Sequence, residues 1–348
     1  MRVLPSLATV LAVGLLAGCG GDDDGGSTTP SASTPAGAAT STAAAAPDAA
    51  AFPVTVKSKF GTATVKAPPK RVVAIGFNEQ DFALALGVKP VAVRQFIGSF
   101  PYKTRPWAPG ANSDPVPSEV GGGEIEFEKV AAARPDLILG IYSFMQDTDY
   151  AKLSRLAPTV AQSADFEEGA TPWDAQLLET GRVLGLEDRA KSVVAKVDAE
   201  FAAARKAHPE FAGKTVTVAY VSAGSTFVLN KSDLRSQYFA DLGLKTPDAY
   251  SGSGFEENIS TEQLSKIDTD VVILIQDKGR DLQDERVFQR LKASREGRVV
   301  AVDGAGAFAG ALGYNSPLSR PYLLKLAVPR IAAAVDGDPA TKVPADGE

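Results

Sequence analysis

Two stretches of this chain repeat one plan, and that repetition limits the fold more than any other feature. Residues 128–139 read Glu-Lys-Val-Ala-Ala-Ala-Arg-Pro-Asp-Leu-Ile-Leu, and residues 262–273 read Glu-Gln-Leu-Ser-Lys-Ile-Asp-Thr-Asp-Val-Val-Ile. Each places a Glu eight residues before an Asp, and an apolar run follows the Asp. Each reads as a short helix turning into a buried strand. A second echo pairs Leu86-Gly87-Val88-Lys89 with Leu242-Gly243-Leu244-Lys245, both at helix ends. The two offsets differ, so the chain is not a solenoid of fixed period. Two lobes of similar plan with different loop insertions account for both echoes.

The rest of the chain supports this reading. Val54–Lys57 and Thr62–Val65 alternate apolar and polar residues around Ser58-Lys59-Phe60-Gly61, which predicts an N-terminal hairpin. Arg71–Ile75 is a short buried strand, a helix runs through Leu84 to Gly87, and Val91–Val93 is a second strand. Strands alternating with helices predict an α/β fold with mostly parallel sheets. Between the echoes lies a long helical stretch. Trp173–Leu184 is a first helix, ended by Gly185 in the position favoured for a left-handed cap. Glu187–Ala207 is a second, about 31 Å long at 1.5 Å per residue, which suits it to brace two lobes. The expected class is two α/β lobes joined by one long linking helix.

The N-terminus is an address. Residues 4–17 are apolar apart from Ser6 and Thr9 and follow Arg2, as in a signal peptide too short to span a bilayer. The segment ends in Leu16-Ala17-Gly18-Cys19, which resembles the bacterial lipobox and marks Cys19, the chain's one Cys, for lipidation. Residues 20–51 contain only Gly, Asp, Ser, Thr, Pro and Ala, too little apolar surface to offset ordering entropy. As a flexible coil such a tether reaches about 30 Å. The expected organisation is a signal peptide over 1–18, a lipidated Cys and tether over 19–52, an N-terminal lobe over 53–171, a linking-helix region over 172–209, a C-terminal lobe over 210–335 and a flexible tail over 336–348.

Composition excludes several chemistries. With 36 Lys+Arg against 42 Asp+Glu the net charge is −6, which leaves no excess of cations for nucleic acid. One Cys and one His rule out a Cys/His zinc site and an internal disulfide. A Ser–His–Asp triad would rest on His208, which follows a helix, and no Gly-x-Ser-x-Gly elbow accompanies it. Gly121-Gly122-Gly123 lacks the Lys-Ser/Thr of a nucleotide loop. Trp107 is expected to pack a loop over the first lobe, and Trp173 to anchor the linking helix. The chain is not read as an enzyme.

The ordered set of lipobox, hairpin before Pro68-Pro69-Lys70-Arg71-Val72-Val73-Ala74-Ile75, Leu86-Gly87-Val88 before Pro90-Val91-Ala92-Val93, Glu128-Lys129-Val130 leading to Arg134-Pro135-Asp136-Leu137-Ile138-Leu139, long helix and Gly297-Arg298-Val299-Val300-Ala301-Val302-Asp303 is specific in combination. Over residues 54–335 it resembles the helical-backbone class of substrate-binding proteins that serve ATP-binding-cassette importers of iron–siderophore complexes, haem and cobalamin. The resemblance implies lobes facing across a shallow cleft, limited hinge closure, and delivery of ligand to a permease. It also implies that one exposed Glu per lobe docks on permease arginines, and Glu128 and Glu262 match those positions.

Ligands of open α/β sheets sit beyond the carboxyl ends of the strands. That rule nominates Phe77, Asn78, Arg94, Gln95, Tyr142, Ser143 and Phe144 in the first lobe. In the second it nominates Tyr220, Ser222, Phe227, Arg235, Gln276 and Lys278. Aromatic faces and arginines suit an anionic ferric siderophore, whose iron is already saturated by its own oxygens, so no cofactor and no direct protein ligand to metal is expected. A haem carrier, with Tyr142 or Tyr220 offering an axial ligand, and a cobalamin carrier are alternatives within the class. A lipid-anchored hydrolase or structural envelope protein is the alternative outside it.

Overall fold

A computed structural model describes residues 46–95, 100–108, 115–222, 225–248, 250, 256–277, 279 and 281–345, omitting the side chains of 256 and 257. Cys19, Lys278 and most of the expected tether fall outside the described residues.

The chain opens with the expected hairpin, β1 (Val54–Ser58) and β2 (Gly61–Val65). The first lobe follows as β3 (Val72–Ala74), α1 (Glu79–Ala85), β4 (Ala92–Val93), β5 (Ser118–Glu119), α2 (Phe127–Ala132), β6 (Leu137–Gly140), α3 (Asp147–Leu153) and β7 (Thr159–Ala161). Two helices lead across, α4 (Trp173–Leu184) and α5 (Glu187–Ala207). The second lobe contains β8 (Val216–Ser222), β9 (Ser225–Leu229), α6 (Leu234–Ala240), β10 (Glu256–Ile259), β11 (Val271–Gln276), α7 (Arg286–Gln289), α8 (Lys292–Arg295), β12 (Val299–Asp303), α9 (Ala307–Tyr314) and α10 (Ser319–Val335).

The two sheets share one seating plan. The first runs β5-β4-β3-β6-β7 and is parallel throughout; the second runs β10-β9-β8-β11-β12, with β8, β11 and β12 parallel and β9 antiparallel to both of its neighbours, β8 and β10. The echoed segments supply β6 and β11, which hold the same seat beside the central strand of each sheet. Their side chains also face the same way. Leu137 and Leu139, like Val271 and Ile273, join the core that runs through both lobes and the bracing helices. Ile138 and Val272 pack into separate clusters on the other faces. Both faces of each strand are therefore buried, which is why the runs are apolar without alternation.

Each echoed Asp has a structural task. Asp136 accepts the backbone N–H of Lys70 and Arg71 at 2.8 Å, ahead of β3, and Asp270 accepts that of Thr215 at 2.8 Å, ahead of β8. The second echo is a shared helix stop. Gly87 and Gly243 have positive φ of 77° and 97°. Val88 N–H donates to Ala83 and Leu244 N–H to Phe239, five residues back in both cases, as in a Schellman cap.

The short helix expected at Glu262 is a 3₁₀ helix, Thr261–Ile267, that leads into β11. Two expectations need correction. The tether was expected to run to residue 52, but Asp48 donates its N–H to the Gly185 carbonyl at 2.9 Å and Ala49–Ala51 form a 3₁₀ turn there. The tail was expected to be loose, but Val343 packs on the core and Arg330 donates to the Ala345 carbonyl. The linking helix α5 is flanked by α10, which packs along it. Gly185 does cap α4 in the left-handed region, at φ 68°.

Candidate functional site

The carboxyl ends of β3 and β6 carry an aromatic cluster. Phe77 stacks on Phe144 with ring centroids 5.5 Å apart and meets the edge of Tyr142 at 5.6 Å. The Arg94 guanidinium lies 4.7 Å from the centre of the Phe77 ring. At the carboxyl end of β8 in the other lobe, Tyr220 stacks on Phe227 at 4.8 Å, with the Arg235 guanidinium 5.5 Å from the Tyr220 ring. The two groups lie close enough for the Asp233 and Arg235 charges to act on the Tyr142 hydroxyl. Burial raises the Tyr142 hydroxyl above the ordinary tyrosine value, so it stays a protonated donor. Gln237 on α6 also donates to the Ala170 carbonyl at 3.4 Å, which closes the contact between the lobes.

Both arginines are engaged. Asp233 caps α6 by accepting the Arg235 N–H at 2.8 Å, and its carboxylate takes Nε at 2.9 Å and Nη2 at 2.8 Å in a fork-on-fork pair. Burial opposes the Arg235 charge, but the adjoining Asp233 outweighs it and raises the guanidinium above its ordinary value. Arg94 is 5% exposed and donates to the carbonyls of Gly122 at 2.7 Å, Ser143 at 3.1 Å and Gly123. The three-glycine loop is thus the seat of a guanidinium. A Cβ at Gly121, whose φ is 127°, would meet the Glu124 carbonyl oxygen at 2.0 Å.

Behind this wall lies Glu79, fully buried, whose carboxylate accepts the backbone N–H of Tyr142 and, at 3.4 Å, of Asn78. It ties the loop after β3 to the loop after β6. Burial raises its carboxyl above the ordinary value, against those backbone bonds and the Arg94 charge. The neighbouring Asp81 is also fully buried and accepts from Arg105 at 2.7 Å, Trp107 Nε1 at 2.8 Å and the Ser316 hydroxyl at 2.8 Å. Residue-by-residue reading missed Glu79, Asp81 and Asp233. The available signal was Asn78-Glu79-Gln80-Asp81, four consecutive polar residues at a strand's carboxyl end, all of them buried here.

Of the nominated residues, Phe77, Tyr142 and Phe144 come together in the first lobe and Tyr220, Phe227 and Arg235 in the second, with Ser222 at the end of β8 beside its strand partner Ser225. Arg94 stands behind Phe77 as a brace for backbone carbonyls. Asn78 is expected in the cleft but is buried, its side-chain amide donating to the Tyr314 carbonyl at 3.0 Å in the C-terminal lobe. Gln276 is also expected there but is 8% exposed and holds its own turn, bonded to Asp281 at 3.0 Å and to the Leu282 N–H at 3.2 Å. Gln95 accepts the Tyr102 N–H, and Ser143 bonds the Gly140 carbonyl. Trp107 packs on Tyr314 and Tyr322, so its loop joins the lobes instead of covering one. Trp173 lies under the Arg320 guanidinium at the start of α4. Glu128 and Glu262 are exposed in the first turns of their helices, one on each lobe.

Among the described residues no three or more His, Cys, Asp or Glu side chains gather to hold a metal, and no helix is long and apolar enough to cross a membrane. Two surface hollows of about 450 and 530 Å³ lie away from the cleft, along β1 and α4 and at the α4–α5 junction. Arg182, common to both, is bonded to the Thr55 carbonyl and paired with Glu179, and the aromatic and charge-paired chemistry stays in the cleft.

Comparison with known proteins converges on one family. A model of the family described as periplasmic binding protein matches residues 79–305. The iron(3+)-hydroxamate-binding protein FhuD of Bacillus subtilis is 27% identical over 277 residues, covering 76% of this chain and 82% of that one. A periplasmic solute binding protein from Mycobacterium smegmatis superposes with a TM-score of 0.71 at 29% identity, covering 81% of this chain and 98% of that one. PiaA of Streptococcus pneumoniae, solved in complex with ferrichrome, superposes with a TM-score of 0.72 at 25% identity, covering 82% of this chain and 99% of that one.

Proposed function

Because this chain belongs to the periplasmic binding protein family, we propose that it captures a ferric siderophore between its two lobes and delivers it to an ATP-binding-cassette importer. The observation that carries this reading is a group of packed rings at the strand ends of each lobe, Phe77, Tyr142 and Phe144 in one and Tyr220 and Phe227 in the other, the second joined by the Arg235–Asp233 pair. Rings give an organic chelate flat apolar walls, and the phenol and guanidinium offer donors to its iron-bound oxygens. The iron is cargo and arrives already coordinated. The ligands of two relatives, an iron hydroxamate and ferrichrome, have this chemistry.

Delivery requires a docking face. Glu128 and Glu262 sit at equivalent places before β6 and β11, exposed on separate lobes, and we assign them to permease contacts. Reversing both charges should abolish uptake and leave ligand affinity intact; undiminished uptake would remove the assignment. Lipidation at Cys19 would hold the protein at the outer face of the cytoplasmic membrane.

The test is a fluorescence titration of the full chain with ferric siderophores, their iron-free chelators, haem and cobalamin. A ferric complex should bind at submicromolar Kd, with its iron-free chelator much weaker. Tighter binding of haem or cobalamin would overturn the siderophore reading.

A further inference from the structure

We infer that the cleft is built for a ferric complex of no net charge, as in the trihydroxamate class, a conclusion that rests on the siderophore reading and sharpens it. Read from the sequence alone, two arginines near the strand ends point to an anionic ligand. The structure engages both. Asp233 takes two of the five N–H donors of Arg235 head-on. Arg94, 5% exposed, is turned away from the cleft onto the backbone carbonyls of Ile75, Gly122, Gly123 and Ser143. Among the described residues, the first lobe therefore commits the Arg94 donors to backbone carbonyls, and the second sets Arg235 against Asp233. The turn after β11, Asp277-Lys278-Gly279-Arg280-Asp281, balances in the sequence as well, with as many acids as bases.

Ligand chemistry decides the rest. Iron(III) bound by three singly charged hydroxamates is neutral, whereas a tris-catecholate complex is a trianion. A trianion entering this cleft would shed strongly held water and meet guanidiniums whose donors a carboxylate and backbone carbonyls already hold. A neutral complex loses far less hydration. It still presents oxygens to Tyr142 and Arg235 and carbon to Phe77, Phe144, Tyr220 and Phe227.

The test titrates the full chain with ferrichrome, a neutral trihydroxamate, and with a hexadentate ferric tris-catecholate, each at low and at high salt. Ferrichrome should bind at least about tenfold tighter. Its Kd should move less than about twofold with salt, because a neutral ligand leaves no net attraction to screen. Equal or tighter binding of the trianion would overturn the inference but leave the siderophore reading standing. Binding of neither, by protein whose near-ultraviolet dichroism shows it folded, would remove both. Asp233→Asn keeps a good helix cap but uncovers the Arg235 charge. It should narrow the preference for ferrichrome by about tenfold, and an unchanged preference would contradict the compensation.

Discussion

Asp136 and Asp270 explain why the chain repeats itself. A strand entering a sheet has N–H groups ahead of its ladder that need acceptors. In each lobe that need falls just before the central strand, and the echoed Asp meets it from the end of the neighbouring segment. At Asp270, partial burial works against the charge, but the Thr215 N–H and hydroxyl and the charges of Lys214 and Arg298 win and hold the carboxyl below its ordinary value. A depressed folded value means that the contribution is present above the unfolded pKa of about 3.9 and fades as pH falls through the lower folded value. Asp270→Ala should therefore cost about 1–3 kcal/mol near neutral pH. In urea denaturation the gap to wild type should narrow below about pH 4; a gap that stays constant into acid would contradict this account.

Legibility followed burial and backbone conformation. Strands buried on both faces, such as β6 and β11, announce themselves as unbroken apolar runs, and helices stopped by glycines with positive φ announce their ends. The hairpin β1–β2 was readable from its alternation of buried and exposed residues, and the end of α4 from Gly185. Elements with no such signature were not. β5 is two exposed residues, Ser118 and Glu119, held only by pairing with β4. The antiparallel seating of β9 between β8 and β10 is decided by neighbours and not by composition. At the cleft, the strand-end rule found the right loops but not which side chains enter. Phe77 turns to the rings, while the adjacent Asn78 turns back to Tyr314. Asp233 stayed hidden because a helix cap next to an arginine looks ordinary until its second oxygen is seen on the guanidinium.

The lobes are tied to each other as well as to α4, α5 and α10. Asn78 reaches the Tyr314 carbonyl, Gln80 the Tyr314 hydroxyl and Asp81 the Ser316 hydroxyl, and all three side chains are buried. Breaking one partner of such a network strands a buried polar group, so large opening of the lobes is disfavoured. Ligand then meets two preformed half-sites, and both should matter to its affinity. The most direct test is the Kd of the full chain for ferrichrome in wild type, Tyr142→Ala and Tyr220→Ala, one truncation from each lobe. Both variants should stay folded and each should lose at least about tenfold in affinity, as truncated aromatic anchors do. A Kd unmoved by either truncation would place the ligand outside this cleft and contradict the account.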